Sequence, residues 1–213
     1  MTKKKENYIK LLKQNKIPKN IIDAIMIYDQ KIFFDHIFRN NFYSKKTIPI
    51  RYGENSDPPM ALAKMIYHLS LRKTYRILEI GTGSGYSTAI LSSLVEEIVT
   101  IEYHKEIAFL AKKKIEPLNI DNVRFFNGDG LNLDKSLGIF DAIVVFAACQ
   151  QRPFSLNNFL RRDGLLVFPM GPIHQQQITV LTNKFLKDSE EHYKTTFHDY
   201  CIFPPINGIY EKL

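Results

Sequence analysis

Residues 76–86 read RILEIGTGSGY, and this stretch decides the fold. A short apolar run, interrupted by Glu79 alone, is followed by three glycines at alternate positions. Such a run is typical of a buried strand that ends in a tight turn, and the next residues, YSTAILSSLV, have the composition of a helix. Strand, glycine turn and helix form the first half of a nucleotide-binding crossover, so a ligand is expected above the turn.

The glycine spacing excludes two phosphate-binding motifs. A dinucleotide fingerprint needs a third glycine where this chain has Tyr86 or Thr88, and no Gly-Lys-Ser/Thr follows at the spacing of a P-loop. The remaining pattern, E-x-G-x-G-x-G from Glu79 to Gly85, resembles the first motif of the S-adenosylmethionine-dependent methyltransferases. The alternative is a glycine turn that only allows a helix to pack on a sheet.

Two further strand ends support an adenosine-type cofactor. The run EEIVTIEYH places Glu102 about 20 residues after the turn, where dinucleotide folds carry an acid that binds ribose hydroxyls. A surface acid at a strand end is the alternative. The run NVRFFNGDG ends in Asp129 and Gly130, which in the methyltransferases meet the adenine amino group. We therefore predict S-adenosyl-L-methionine as cofactor, bound by Glu79, Gly81, Thr82, Gly83, Ser84, Gly85, Glu102, Tyr103, Asp129 and Gly130.

Composition and charge limit the class of protein. The 213 residues fit a single α/β domain, and no apolar run approaches the roughly 20 residues of a membrane span. The N-terminus lacks the apolar core of a secretory signal, and two cysteines show no metal-ligand spacing, so we expect a cytoplasmic protein without a metal site. The first 20 residues hold seven lysines and one glutamate, which is six of the seven net positive charges. Because this charge is a tail, we expect no nucleic-acid or membrane partner.

The pattern of the whole chain predicts one domain in three parts. Residues 1–75 form a helical cap and a substrate loop, residues 76–171 the cofactor-binding core, and residues 172–213 an antiparallel edge. Residues 6–40 and 60–71 have helical spacing, and residues 42–59 between them form a long loop rich in turn formers. Residues 153–162 suggest a short helix, and the alternating runs QQQITVLTNK and YKTTFHDYCIFPPI predict a hairpin at the sheet edge.

Stretches along most of the chain resemble the protein-L-isoaspartate O-methyltransferases, which methylate the misplaced carboxylate of damaged aspartyl and asparaginyl sites. They are LEIGTGSGY and TAIL in residues 78–91, NV and NGDG in residues 122–130, FDAIVV and AA in residues 140–148, GLLVFPMG in residues 164–171, and IFPPINGIY near the end. The resemblance implies a doubly wound Rossmann-like sheet, a helical cap, an antiparallel C-terminal edge and protein repair by carboxyl methylation. We expect a monomer that acts on a protein or peptide.

The substrate loop departs from the family pattern P-I-G-x-G-Q-T-I-S-x-P. Residues 49–59 read PIRYGENSDPP, so Asp57 stands where the family has the serine of the methyl-transfer site. The predicted substrate-loop residues are Arg51, Tyr52, Gly53, Glu54, Asn55 and Ser56.

An acid at this position bears on the substrate. An ionised Asp57 offers only acceptors, and two like charges about 4 Å apart repel by ~4 kcal/mol at an effective dielectric near 20. Arg51, or protonation of Asp57, could remove that repulsion. Without either, transfer to isoaspartyl peptides is expected to be weak and to rise in Asp57→Ser. Two alternatives stay open: a different methyl acceptor with Asp57 or Glu54 as general base, and a module that binds the cofactor without turnover.

Overall fold

The computed structural model describes residues 2–185 and 191–206. Its N-terminal part is helical, as predicted, with α1 (Lys3–Gln14), α2 (Lys19–Ile27), α3 (Gln30–Phe33), a 3-10 helix at His36–Phe38 and α4 (Pro59–His68). Helices α5 (Tyr86–Ser92) and α6 (Lys105–Ile115) belong to the core, with 3-10 helices at Glu116–Leu118, Lys135–Leu137 and Phe154–Phe159. The strands are β1 (Arg76–Ile80), β2 (Glu97–Glu102), β3 (Val123–Asn127), β4 (Phe140–Val145), β5 (Leu160–Met170), β6 (Gln176–Phe185) and β7 (Glu191–Cys201).

The seven strands form one sheet in the order β3-β2-β1-β4-β5-β6-β7. The first five in sequence are parallel, with β1 between β2 and β4, whereas β6 and β7 pair antiparallel. This arrangement confirms the predicted doubly wound sheet and its antiparallel C-terminal edge. The strand order changes direction between β1 and β4, which makes this the topological switch point of the sheet. The crevice above the carboxyl ends of these two strands is therefore the expected ligand site.

The α-helices cover one face of the sheet, and the 3-10 helices at Lys135–Leu137 and Phe154–Phe159 cover the other. Ile77 of β1 belongs to the cluster that includes α2, α4 and α5, whereas its neighbour Leu78 belongs to the cluster with Leu156 and Phe159 of a 3-10 helix. Successive strand residues point to opposite faces, so β1 is buried on both sides. The N-terminal cap therefore lies on the same face as α5 and shares its core.

One expectation about local structure is wrong. The helix predicted for residues 153–162 is a 3-10 helix that ends at Phe159, and β5 begins at the next residue, Leu160. The start of β5 is held by the Asn183 side chain, which donates to the carbonyls of Leu160 and Arg161.

The basic N-terminal segment is a packed helix, not a solvated flank. Tyr8 and Leu12 of α1 are buried, and the Tyr8 hydroxyl donates to the Pro59 carbonyl over 3.2 Å. The predicted edge hairpin is confirmed by the pairing of β6 with β7. Its charged turn, and the end of the IFPPINGIY stretch, lie outside the described residues.

Candidate functional site

A cavity opens above the carboxyl ends of β1, β2 and β4. Its floor is formed by the glycine turn and the residues that follow β2, and its cover comes from the loop before α4. The predicted site residues that line it are Glu54, Asn55, Ser56, Asp57, Gly81, Thr82, Gly83, Ser84, Glu102, Tyr103 and Gly130. The structure thus brings the glycine turn, the Glu102 strand end and the substrate loop into one cavity.

The three glycines of the turn have different reasons for being glycine. Gly81 and Gly83 border the cavity with φ of +91° and +54°, a region that side chains rarely adopt. Gly85, at φ +87°, lies outside the cavity wall, and a Cβ there would come within 3.3 Å of Ala111 and Ile115 of α6. The first two glycines let a ligand approach the backbone, whereas the third allows α5 to begin against α6.

Glu79 lies buried beneath the turn and does not form part of the cavity wall among the described residues. Its Oε2 accepts from the hydroxyls of Thr88 at 2.5 Å and Thr100 at 2.7 Å, and Thr100 shares a 2.6 Å hydrogen bond with Thr82. Burial raises the pKa of Glu79 to about 7, although these hydroxyls lower it in part. Its Oε1 has no hydrogen-bond partner within the described residues.

Glu102 joins the strand end to the turn. Its Oε2 accepts from the backbone N–H of Gly83 at 2.9 Å, and its Oε1 from that of His104 at 3.0 Å. The side chain is 6% exposed and lies at the cavity wall. A carboxylate held by two backbone donors at a parallel strand end is well placed to accept hydroxyl groups of a ribose.

The substrate loop is an ordered hairpin. Pro49 and Asn55 form an antiparallel bridge, the N–H of Ile50 donates to the Glu54 carbonyl, and the N–H of Glu54 donates to the Arg51 carbonyl. Tyr52 and Gly53 at the tip have φ of +57° and +77°, as a two-residue hairpin turn requires. Residues on both sides of the hairpin tip line the cavity, whereas Arg51, Tyr52 and Gly53 lie outside its wall.

Asp57 lines the cavity within electrostatic reach of two other acids. Asp57 is half-buried, and this partial burial, followed by the negative charges of Glu79 and Glu102, raises the pKa of Asp57 above its usual range. Arg51 does not neutralise it, because its Nη1 lies 3.1 Å from Glu106 Oε1 in an ion pair at the hairpin tip. Of the two ways to remove the repulsion at Asp57, the structure favours protonation.

Three predicted cofactor residues, Glu79, Gly85 and Asp129, lie outside the cavity wall, and several residues that were not predicted line it. Asp129 is outside the cavity wall, where its Oδ1 accepts from the Leu131 N–H at 2.8 Å and only its neighbour Gly130 reaches the cavity. Sequence patterns missed Gln30 and Phe34 of the cap and the segment with Pro204, Pro205 and Ile206. No sequence pattern singles out Gln30, whose side-chain carbonyl accepts from the Tyr43 N–H at 2.7 Å.

Two features are absent from the part of the chain that the structure covers. Residues 2–185 and 191–206 contain no group of three His, Cys, Asp or Glu side chains that could hold a metal ion. None of the helices described above has the length and apolar character needed to cross a bilayer.

Comparison with known proteins identifies the family. The profile described as protein-L-isoaspartate(D-aspartate) O-methyltransferase matches residues 3–209. The chain belongs to this family. The resemblance inferred from the glycine turn and the matching stretches is therefore confirmed, and with it the enzyme class, an S-adenosylmethionine-dependent methyltransferase.

Individual relatives agree with the family assignment. A protein-L-isoaspartate O-methyltransferase of Bradyrhizobium sp. strain BTAi1 is 38% identical over 176 residues, which cover 82% of this chain and 80% of that protein. The Klebsiella pneumoniae enzyme of the same name is 34% identical over 194 residues, covering 90% of this chain and 93% of its own. A Plasmodium falciparum structure described as this methyltransferase, in complex with S-adenosyl-L-homocysteine, has a TM-score of 0.78 at 21% identity and covers 94% of this chain and 97% of its own.

Proposed function

We propose that this protein transfers a methyl group from S-adenosylmethionine to the carboxylate of an isoaspartyl residue in a damaged protein or peptide. The observation that carries the proposal is the cavity that joins Asp57, at the position of the family serine, to the glycine turn and Glu102. Family membership supports an isoaspartyl carboxylate as the acceptor, and the hydrogen-bonded hairpin of the substrate loop supports an active site.

The described residues fit the cofactor. The turn at Gly81 and Gly83 leaves a cradle without Cβ atoms, and Glu102 offers carboxylate oxygens at the strand end. Ile80, Ile101 and Ile107 give the cavity the apolar wall that a planar base would contact. When bound, the cofactor supplies a methyl group activated by a positively charged sulfur. No chemistry is then required of the protein beyond binding both partners in line, since an isoaspartyl carboxylate is already ionised at neutral pH.

We propose that Asp57 is protonated and that this form positions the acceptor carboxylate. A neutral carboxyl group donates one hydrogen bond, as the family serine does, and it does not repel an acceptor carboxylate. The raised pKa of Asp57 favours this form, and Glu79 and Glu102 keep it raised. An Asp57 with an ordinary pKa would instead be ionised and would repel the acceptor carboxylate. Isoaspartyl transfer would then be weak at every pH above the ordinary pKa range of an aspartate.

The pH dependence of Asp57 variants tests this role. We expect wild-type kcat/KM for an isoaspartyl peptide to fall as pH rises through the pKa of Asp57, by about tenfold per pH unit, because the donating proton is lost. Asp57→Asn keeps a donor that does not titrate, so its profile should be flat and should cross the wild-type curve. Asp57→Ser should likewise exceed the wild type only at high pH. Asp121→Asn, a change at an exposed aspartate, is the matched control.

The alternatives predict opposite results. If Asp57 were a general base for another acceptor, activity would rise with pH, Asp57→Asn would be inactive, and the transferred label would resist mild base. A label lost in mild base identifies a carboxyl ester. Binding of S-adenosylmethionine without transfer to any peptide would leave a cofactor-binding module and would refute the proposed function.

A further inference from the structure

Arg51 and Tyr52, at the tip of the substrate-loop hairpin, reach over the cavity to α6. We propose that their contacts form a clamp, which holds residues 48–56 as a strap across the cofactor cleft. In this view the cofactor enters and its demethylated product leaves only when the clamp opens. The inference rests on the proposed function for the identity of the ligand. It assigns Arg51 and Tyr52 to cofactor exchange, and not to the substrate.

The strap crosses the cleft directly above the glycine turn. The nearest heavy atom to a Cβ built on Gly83 would be Cδ1 of Ile50, at 3.9 Å. Ile50, Glu54 and Asn55 from the strap line the same cavity as Gly83 and Glu102 on the other side. A ligand seated on the turn is therefore covered by the strap.

Four contacts join the strap to the start of α6. Glu106 contacts both tip side chains. It forms an ion pair with Arg51 at 3.1 Å and accepts a hydrogen bond from the Tyr52 hydroxyl. The Tyr52 ring stacks on His104, with centroids 5.1 Å apart and an interplanar angle of 2°. Glu54 Oε1 lies 3.7 Å from His104 Nε2. The residues touched, His104 and Glu106, directly follow the Glu102 strand end, so the clamp closes on the segment that carries the predicted ribose site.

The clamp can open while the base of the strap stays folded. Tyr52 is 60% exposed, and the Arg51 and Glu106 side chains are also largely exposed, so their contacts compete with water and are individually weak. The base is anchored differently, because Ile48 is buried and its N–H donates to the Ser56 hydroxyl at 2.9 Å. Gly53, with open space around the position of a Cβ, supplies a flexible residue at the tip.

Ligand exchange rates test the clamp. In the full chain, Glu106→Gln removes the charge that both tip residues contact, and Tyr52→Asn removes the ring and hydroxyl while tolerating the positive φ. S-Adenosylhomocysteine binding is followed by surface plasmon resonance. We expect association and dissociation rates to rise together, by roughly five- to thirtyfold, since both steps wait for the same opening. Glu116→Gln, which removes an exposed ion-pair partner of Lys113 just beyond α6, should leave both rates unchanged.

Each outcome separates this proposal from the preceding one. Faster exchange in both clamp variants, with an unchanged thermal midpoint, supports the strap. Rates equal to those of the wild type overturn the strap and leave the proposed methyltransferase activity intact. Faster dissociation with an unchanged association rate also overturns the strap, because it would indicate lost ligand contacts. If the wild-type chain does not bind S-adenosylhomocysteine, both proposals fall.

Discussion

Glu79 is a buried acid whose charge depends on the pH of the experiment. Its pKa, raised by burial to about 7, lies above the value in an unfolded chain, so folding favours the protonated form. The stability that Glu79 contributes is therefore complete below about pH 4.5 and is lost as pH rises to about 7.

Glu79→Gln tests this titration by urea unfolding at pH 5 and pH 8. Because the amide carries no charge, the free energy of unfolding of the variant relative to the chain that keeps Glu79 should increase with pH, by up to about 3 kcal/mol. Both proteins carry Asp57→Asn, because the charge of Glu79 also raises the pKa of Asp57 and that effect would not cancel from the difference. Glu116→Gln, at the surface, should show no such increase. A difference that stays constant between the two pH values would mean that Glu79 remains ionised in the folded chain.

Glu102 is the residue on which cofactor affinity is expected to depend most. Its carboxylate can accept ribose hydroxyls, and it also fixes the Gly83 and His104 backbone. Charged hydrogen bonds of this kind contribute about 1.5–3 kcal/mol, so Glu102→Ala should weaken S-adenosylhomocysteine binding by roughly ten- to hundredfold in calorimetry. Asp129→Ala is the informative comparison, since that side chain lies outside the cavity wall and should matter less. Equal affinity of Glu102→Ala and wild type would exclude Glu102 from the site.

At the scale of elements, α1 is part of the fold and supports the site. The sequence suggested a charged tail at the N-terminus, whereas Tyr8 and Leu12 of this helix are buried. Tyr8 also donates to Pro59, the first residue of α4, two positions after Asp57. Helix α1 therefore helps to hold the end of the substrate loop.

Leu12→Ala measures the contribution of this helix. Leu12 is fully buried in the cluster that includes α2 and α4, so the change should lower the free energy of unfolding by about 2–5 kcal/mol. Lys10→Ala, on the exposed face of the same helix, should change it by no more than about 0.5 kcal/mol. Denaturation curves for Leu12→Ala that overlay those of wild type would show that α1 is not docked in solution.

At the scale of the molecule, the basic charge and the cavity are separate. Six of the seven net charges belong to the first 20 residues, in α1, α2 and the residues around them. The cavity instead carries the acids Glu54, Asp57 and Glu102. No Lys or Arg is among the described residues that line the cavity, so a phosphate backbone would find no cationic side chain there, and a protein or peptide substrate stays the prediction.

The sequence by itself determined the strand, glycine turn and helix at residues 76–92, the strand end at Glu102 and the antiparallel edge, because periodicity and glycine spacing are local properties. The family could be inferred from the same stretches. Only the tertiary structure decided where the functional side chains point. Tyr52 meets Glu106 from 54 residues away, and the pKa of Asp57 depends on two acids from other strands. Such distant contacts decide whether Arg51 pairs with Asp57 or with Glu106, and no local sequence pattern predicts them.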